Sequence, residues 1–162
     1  MNRTPTLAIR PATSTDIPPL VEMVNAAFSI ETFLEGTRTD AERLTSTLEK
    51  GEILLAEDDQ GHIMGSVYIE IRGKRGYMGM LAVAPAHQGS GLARRLLTAA
   101  EDFFRHKGCE VIDISVLSLR PELIPIYKRF GFAACGTEEF GFARTFRDED
   151  AECHCILMEK NL

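Results

Sequence analysis

Two glycines between an apolar run and an amphipathic segment give this chain the residue types of an anion-binding loop. The apolar run at residues 80–83 ends before Pro85, as a buried strand would, and residues 92–97 place apolar side chains at helical spacing. Between them, Gly89 and Gly91 let the backbone turn sharply and approach a ligand with no Cβ in the way. The first turn of a helix has unpaired N–H groups and the positive end of the helix dipole, so it suits a phosphate or pyrophosphate. The sequence therefore predicts an anion-binding loop that needs no charged side chain.

The loop fits one known signature and fails two others. The dinucleotide fingerprint G-x-G-x-x-G needs a third glycine where Arg94 stands, and the P-loop pattern G-x-x-x-x-G-K-[ST] is absent. Residues 88–93 fit Q-x-x-G-x-A, an instance of the [QR]-x-x-G-x-[GA] signature, so the chain resembles the GNAT superfamily of acyl-CoA-dependent N-acetyltransferases. The alternative is a glycine-rich loop between a strand and a helix that only makes a tight turn.

A second motif strengthens the resemblance. Tyr127 opens the sequence Tyr-Lys-Arg-Phe-Gly-Phe, which resembles the Y-x-x-x-G-F element that closes the family's cofactor-binding region. It follows the first motif at a distance of about 35 residues. Two independent motifs in the correct order make coincidence improbable.

The predicted secondary structure has the order β-α-α-β-β-β-α-β-α-β-β. Helices are predicted at residues 15–28, 40–50, 92–107 and 121–129, where apolar spacing and capping residues coincide. Strands are predicted at residues 7–11, 53–57, 63–71, 77–83, 111–117, 132–138 and 153–158. This order resembles the GNAT fold, which implies an α/β (α+β) class with a mixed central sheet of about seven strands. The resemblance also implies that the central parallel strands splay apart and that about four helices flank the sheet. We expect residues 1–162 to form a single domain.

The resemblance implies that acetyl-CoA binds between the two splayed strands, residues 77–83 and 111–117. In family members the pantetheine arm pairs with backbone groups of the first strand, here those of Leu81 and Val83. Main-chain N–H groups of residues 88–93 would hold the pyrophosphate. The residues expected to bind acetyl-CoA are Leu81, Ala82, Val83, Gln88, Gly89, Ser90, Gly91, Leu92 and Ala93. No metal is expected.

Tyr127 occupies the position of the family's general acid. A tyrosine, with an ordinary pKa of ~10, is protonated at neutral pH and can give a proton to the departing CoA thiolate. A strand N–H group near Val83 would polarise the thioester carbonyl, as in an oxyanion hole. The alternative for Tyr127 is an aromatic packing residue, because it shares helical spacing with Ile124 and Phe130.

The sequence does not identify the residue that acts as general base. Many relatives carry a glutamate on the strand before the loop, whereas residues 76–81 of this chain contain no carboxylate. The candidates elsewhere are Glu31, Glu35, Glu70, Glu138 and Glu139. Each of them could equally be a solvated surface acid, and a chain of water molecules could take the proton instead.

Three arginines near these motifs have more than one possible role. Arg94 or Arg95 could reach the nucleotide phosphates, or both could lie on a solvated helix face. Arg120 stands where many relatives carry an asparagine that contacts the pantetheine, so that contact is in doubt here. Arg120 could instead recognise an acidic group of the substrate or of CoA.

Composition excludes several classes of protein. The chain has 162 residues, 44% hydrophobic residues and a net charge of −6, which indicates a folded protein and disfavours nucleic-acid binding. No apolar run approaches the ~18 residues of a membrane span, and the N-terminus lacks the apolar core of a signal peptide, so we expect a cytoplasmic protein. The four cysteines form no CxxC pair and are expected to be small buried side chains rather than metal ligands; they are Cys109, Cys135, Cys153 and Cys155.

The resemblance implies an N-acetyltransferase that moves the acetyl group of acetyl-CoA directly to a primary amine of a small molecule. A protein or peptide N-acetyltransferase and a non-catalytic acyl-CoA-binding sensor are the alternatives. We expect no nucleic-acid or membrane partner and a monomer or homodimer. The family uses two segments as cleft walls, here residues 29–38 and 139–150. Aromatic residues that could line this cleft are Phe28, Phe33, Phe140, Phe142 and Phe146, and buried packing is the alternative for most of them.

Overall fold

The structure, a computed structural model, describes residues 7–140 and 152–162, and its elements follow the predicted order. The strands are β1 (Ala8–Pro11), β2 (Glu52–Glu57), β3 (Ile63–Arg72), β4 (Arg75–Val83), β5 (Val111–Leu117), β6 (Ala133–Glu139) and β7 (His154–Asn161). The helices are α1 (Ile17–Ala27), α2 (Ala41–Lys50), α3 (Leu92–His106) and α4 (Leu123–Arg129). Short 3-10 turns lie before α1 and between β4 and α3, at Ser14–Asp16 and Pro85–His87.

The seven strands form one mixed sheet in the order β1-β2-β3-β4-β5-β7-β6. Every neighbouring pair is antiparallel except β4 and β5, which are parallel. The chain passes from β4 to β5 through α3, since a parallel pair needs a long crossover connection. The α/β class, the mixed seven-stranded sheet and the four helices are thus confirmed.

Apolar side chains cover both faces of the sheet. On one face, Leu96 and Phe104 of α3 are fully buried in a core that includes Ile112 of β5. On the other face, Leu20 of α1 and Leu44 of α2 are equally buried. Burying a leucine or phenylalanine side chain contributes roughly 1.5–3 kcal/mol, so both helical layers are held firmly on the sheet.

The two parallel strands separate soon after they begin. Strand β4 pairs with β5 only from Arg75 to Tyr77, opposite Val111 to Asp113. Beyond these three pairs the strands diverge, and no described strand pairs with residues 78–83 on the β5 side. The predicted splay is therefore present.

A β-bulge in β4 re-aims its side chains at the point of divergence. Met80 has a φ of 49°, a left-handed conformation that is uncommon for a residue other than glycine. The pairing with β3 shifts there, so that Val67 opposes both Met80 and Leu81. As a result Leu81 packs with the core under α3, while Met80 packs with the core under α1 and α2.

Helix α4 is shorter than the sequence predicts. It begins at Leu123 rather than at Pro121, because the preceding residues form tight turns. The amide of Leu123 donates to the carbonyl of Arg120 (3.1 Å), and the amide of Ile124 donates to that of Pro121 (3.2 Å). The prediction of Pro121 in the first helical turn was therefore wrong by two residues.

Helix α1 begins at Ile17, two residues after the predicted start at residue 15. Asp16 precedes the helix, but its side chain makes no cap hydrogen bond to α1. Its carboxylate instead accepts from the amide of Thr13 (2.7 Å) and pairs with the guanidinium of Arg10 (2.9 Å). The Asp16 side chain therefore caps the 3-10 turn at Ser14–Asp16 and pairs with β1, rather than capping the first turn of α1.

None of the helices in the described part of the chain is long and apolar enough to cross a membrane. Most of the second predicted cleft wall, including Phe142 and Phe146, lies outside the described residues.

Candidate active site

A cavity of about 500 Å³ fills the gap between the diverging strands. Its walls come from β4, β5, α4 and the segment that follows α1. Of the residues predicted to bind acetyl-CoA or to act in catalysis, the structure places six on the cavity wall: Leu81, Ala82, Val83, Gln88, Ala93 and Tyr127. The unpaired edge of β4 therefore faces a space that an extended ligand with amide groups could fill.

The glycine loop joins this cavity to the first turn of α3. Gly89 and Gly91 have φ values of 78° and 84°, and a Cβ at either position would meet nothing within 4 Å. Gly91 is the N-cap of α3 and, having no side chain, leaves the first turn of the helix without a side-chain cap from this position. Gln88 fastens the loop to the end of β4, since its Nε2 donates to the carbonyl of Val83 (3.2 Å). The loop is therefore an open main-chain cradle with the N-terminus of a helix at one end.

The remaining predicted loop residues offer backbone rather than side chains. The hydroxyl of Ser90 donates to the carbonyl of His87, and the side chain of Leu92 is buried in the core. Arg94 is exposed, with its guanidinium carbon 5.2 Å from the centre of the Phe130 ring. Arg95 is exposed as well.

Tyr127 is held on the α4 side of the cavity by aromatic packing. Its ring meets that of Phe132 edge to face, with centroids 5.8 Å apart. Burial raises the pKa of Tyr127 to about 12, although the positive charge of Arg120 opposes the shift. The phenol is therefore fully protonated at neutral pH, as a proton donor must be. The packing alternative and the acid role are compatible, because the ring packs while the residue lines the cavity.

Among the candidate bases, Glu31 is the carboxylate that lines the described cavity. Glu70 lies elsewhere, where it accepts from the hydroxyl of Tyr68 (3.0 Å) and pairs with Arg72. The other three candidates are exposed and are not among the cavity residues: Glu35, Glu138 and Glu139.

Arg120 forms a buried ion pair across the cavity. Its Nη1 lies 2.9 Å from Oε2 of Glu31, and its Nε lies 2.7 Å from Oε1 of Glu122. The side chains of Arg120 and Glu31 are only 14% and 5% exposed. Burial lowers the pKa of Arg120, but its hydrogen bonds to the two glutamates outweigh this, so the pKa is raised and the guanidinium stays charged.

The aromatic lining is smaller than the sequence suggests. Phe28 lines the cavity, with the guanidinium carbon of Arg38 5.1 Å from its ring centre, and Phe130 lines it as well. Phe33 and Phe140 are not among the lining residues.

Sequence reasoning missed two features of the site. The left-handed backbone conformation of Met80 leaves no signal in the sequence, because glycine is the residue that normally indicates such a conformation. Ser115 of β5 also lines the cavity, and its buried oxygen lies beside the Cys155 thiol without a regular hydrogen bond to a described residue. An alternating strand pattern alone does not show which polar residue will face a cavity.

Residues 7–140 and 152–162 contain no cluster of three or more His, Cys, Asp or Glu side chains that could hold a metal ion. Cys109 and Cys155 are buried as expected, whereas Cys153 is half-buried and Cys135 is exposed. Cys135 is exposed because β6 is an edge strand whose residues all face solvent.

Comparison of the sequence with models of protein families gives a match that is consistent with the fold and the cavity. Residues 19–132 match the model of the acetyltransferase (GNAT) family, so the chain belongs to this family. The family uses acetyl-CoA as its acetyl donor.

Curated relatives match over parts of their length. The streptothricin acetyltransferase of Streptomyces lavendulae is 38% identical over 58 residues, which are 36% of this chain and 31% of that protein. The mycothiol acetyltransferase of Propionibacterium freudenreichii subsp. shermanii is 30% identical over 90 residues, 53% of this chain and 29% of that one. The chain thus spans less than a third of the length of these two relatives.

Solved structures match over nearly the whole chain. The ribosomal-protein-S18-alanine N-acetyltransferase of Escherichia coli superposes with a TM-score of 0.76 at 17% identity, covering 96% of this chain and 94% of its own. A nourseothricin acetyltransferase superposes with a TM-score of 0.73 at 19% identity, covering 96% of this chain and 98% of its own. The protein yncA of Salmonella typhimurium, solved with acetyl-CoA, superposes with a TM-score of 0.72 at 22% identity, covering 96% of this chain and 94% of its own. At these identities the likeness shows the fold.

Proposed function

We propose that this protein transfers the acetyl group of acetyl-CoA directly to a primary amine of a small molecule, and that residues 1–162 act as one domain. The observation that carries the proposal is the unpaired edge of β4, which runs along the cavity and leads into the open glycine loop at the start of α3. The volume of about 500 Å³ is typical of small-molecule sites.

The residues present fit acetyl-CoA. The backbone of Leu81 and Val83 would pair with the amides of the pantetheine arm, because no strand in the described part of the chain pairs with this edge of β4. The N–H groups of residues 88–93 would bind the pyrophosphate, since the N-cap Gly91 has no side chain to cap them and a Cβ at Gly89 or Gly91 would meet nothing within 4 Å. Acetyl-CoA supplies the activated acetyl group as a thioester.

Each protein group then has one task in the transfer. A backbone N–H near Val83 polarises the thioester carbonyl while the neutral amine attacks it. The bond from carbon to nitrogen forms, the bond from carbon to sulfur breaks, and the Tyr127 hydroxyl gives its proton to the sulfur. The amine must lose a proton as well. Because Glu31 is engaged by Arg120, we assign this proton to solvent.

Turnover of a panel of amines tests the proposal. The purified protein is mixed with acetyl-CoA and either small primary amines or peptides, and the release of free CoA thiol is followed. We expect at least one small amine to be acetylated with a higher kcat/KM than any peptide. Faster turnover of peptides would make the protein a peptide N-acetyltransferase, and binding of acetyl-CoA without any turnover would make it a sensor.

A further inference from the structure

A tyrosine on β4 lies at the point where the two parallel strands part. Tyr77 forms the last backbone pair with β5, opposite Asp113, and the strands diverge from residue 78 onward. Successive side chains of a strand point to opposite faces. A Cβ at Gly76 would meet the Phe104 ring of α3, so the phenol of Tyr77 lies on the face of the sheet opposite α3.

The hydroxyl of Tyr77 lies directly over Gly79. A Cβ at Gly79 would be 2.9 Å from this hydroxyl oxygen and 3.3 Å from two ring carbons of Tyr77. Gly79 lines the cavity, so the hydroxyl reaches the edge of the cavity although Tyr77 is not itself among the lining residues. Any residue larger than glycine at position 79 would push the hydroxyl aside.

The ring of Tyr77 is held from two sides. The guanidinium carbon of Arg72 lies 4.2 Å from the ring centre, and Arg72 is itself paired with Glu70. The ring of Tyr68 meets that of Tyr77 edge to face, with centroids 6.3 Å apart. Packing on the ring thus aims the hydroxyl over Gly79.

The hydroxyl oxygen of Tyr77 is free to bind a ligand. It forms no hydrogen bond to any residue that the structure describes. Among the described residues, the buried side-chain oxygens without a partner belong to Ser66 and Ser115, so the half-buried Tyr77 leaves its oxygen within reach of solvent. Burial of the ring raises the pKa of Tyr77, so the hydroxyl is protonated at neutral pH and can both accept and donate a hydrogen bond.

The acceptor of the acetyl group would approach from the face on which Tyr77 lies. The proposed pyrophosphate site leads into α3 on the opposite face, so the pantetheine arm would enter the gap from there. The cavity continues to the Tyr77 face, because Phe28, which packs with the core under α1 and α2, also lines it. An amine on this face would meet the Tyr77 hydroxyl where the strands part.

From these contacts we infer that the Tyr77 hydroxyl binds the nitrogen of the acceptor amine, accepting a hydrogen bond from one of its N–H groups, and that Gly79 leaves the room this hydroxyl needs. The inference rests on the proposed function, because it adds an acceptor-binding residue to the same reaction. As the bond from carbon to nitrogen forms, the nitrogen becomes positive and its N–H becomes a stronger donor. The hydrogen bond therefore stabilises the transition state more than the bound amine, and its loss lowers kcat/KM.

Removal of the hydroxyl tests the inference. Tyr77→Phe keeps the ring and its packing, and kcat/KM for the best acceptor of the amine panel should fall about tenfold, the scale of one hydrogen bond. The acetyl-CoA Kd and Tm should hardly change. Tyr68→Phe is the matched control, because its hydroxyl bonds to Glu70 (3.0 Å), and it should keep kcat/KM. A fall of less than about threefold in Tyr77→Phe, or an equal fall in Tyr68→Phe, would overturn the inference.

An added methyl group at Gly79 tests the same hydroxyl independently. Gly79→Ala should displace the hydroxyl and lower kcat/KM about tenfold. In the Tyr77→Phe background the nearest ring carbons lie at 3.3 Å, so the same change should cost less than about twofold more. Gly136→Ala on β6, where the nearest atom would be 3.8 Å away, is the control and should leave kcat/KM unchanged. Losses that multiply in the double variant would overturn the inference, because Gly79 would then act independently of the hydroxyl.

The choice of acceptor and binding measurements separate this inference from the proposed function. Faster turnover of peptides would contradict the proposed function, whereas the variants would still decide the role of Tyr77 with a peptide amine. If nothing is turned over, the proposed function fails, and calorimetry of the amine panel with the CoA-loaded protein decides the inference. Weaker binding of an amine by Tyr77→Phe than by Tyr68→Phe would support it. Equal binding by the two variants, or no detectable binding of any amine, would overturn it.

Discussion

At the scale of single residues, the burial of Tyr127 decides how strong an acid it can be. Packing on Phe132 fixes the ring, and removal from water raises the pKa to about 12. A high pKa keeps the proton on the phenol but makes its transfer less favourable, because the best general acids have a pKa near the working pH. A positioned general acid typically raises the rate of the chemical step about 10²–10⁴-fold. Because its pKa is far above the working pH, Tyr127 should contribute near the lower end of this range.

The variant Tyr127→Phe should therefore lower kcat about 100-fold. The ring and its packing remain, so the acetyl-CoA Kd and Tm should hardly change. Steady-state kinetics and calorimetry measure these quantities. Tyr68→Phe is the matched control, because it removes a phenol that bonds to Glu70 away from the cavity residues. A loss of only a few-fold in Tyr127→Phe would assign Tyr127 to packing.

The same pKa makes a prediction for the pH profile. Because the pKa is raised, the protonated and active form of Tyr127 persists from neutral pH upward and is lost only near about 12. With a saturating amine, kcat should rise as the amine loses its proton and should show no fall between about pH 8 and pH 10. A tenfold fall of kcat in that range, absent from Tyr127→Phe, would contradict a pKa of about 12 for this phenol.

At the scale of elements, the glycine loop and helix α3 act as one unit. Gly91 at the start of α3 and Gly108 just beyond its end have similar left-handed φ values, 84° and 81°, and both have open space around a Cβ. A side chain should strain the backbone equally at the two positions, by about 1 kcal/mol. Only Gly91 lies at the proposed pyrophosphate site.

Gly91→Gln should therefore raise the acetyl-CoA Kd by about tenfold or more, because the side chain covers N–H groups that would bind an anion. Gly108→Gln is the control for backbone strain. It should lower Tm by about as much as Gly91→Gln does, without changing the acetyl-CoA Kd. Calorimetric titration and thermal unfolding measure both effects. Equal Kd values for the two folded variants would refute the proposal of an anion-binding loop.

At the scale of the whole molecule, an ion-pair network joins the edge of the sheet to the start of α1. Arg10 of β1 pairs with Asp16 and with Glu57 of β2, each at 2.9 Å. The hydrogen bond from Arg10, opposed by burial, lowers the pKa of Asp16 from 3.8 to about 2. Since the folded pKa lies below the unfolded value, the stabilisation is fully present above pH 3.8 and is lost as the pH falls through about 2.

Asp16→Asn should therefore lower the free energy of unfolding by about 2 kcal/mol at neutral pH, and the difference should vanish near pH 2. Denaturant unfolding at several pH values measures this change. Asp59→Asn, in the exposed turn between β2 and β3, should leave the stability nearly unchanged at every pH. A pH-independent effect of Asp16→Asn would show that the ion pair is not its cause.

Local signals in the sequence were sufficient for most elements. Asp40 and Gly51 mark the ends of α2, and the Asp40 side chain does accept from the amide of Arg43 (2.8 Å). Strand β5 has the predicted bounds, because alternating apolar residues with a polar face are read directly from the chain. The motifs at the glycine loop and Tyr127 likewise predicted the family, since each is a contiguous pattern.

Tertiary structure alone decided how distant residues meet. Arg120 and Glu31 are 89 positions apart in the chain. They meet because both lie on the wall of the cavity that opens where β4 and β5 diverge. The left-handed conformation of Met80 was equally hidden, because packing overrides local preference at that position. The sequence therefore determined the elements and the family. Contacts between residues far apart in the chain decided which side chains line the cavity, because such contacts leave no pattern at short spacing.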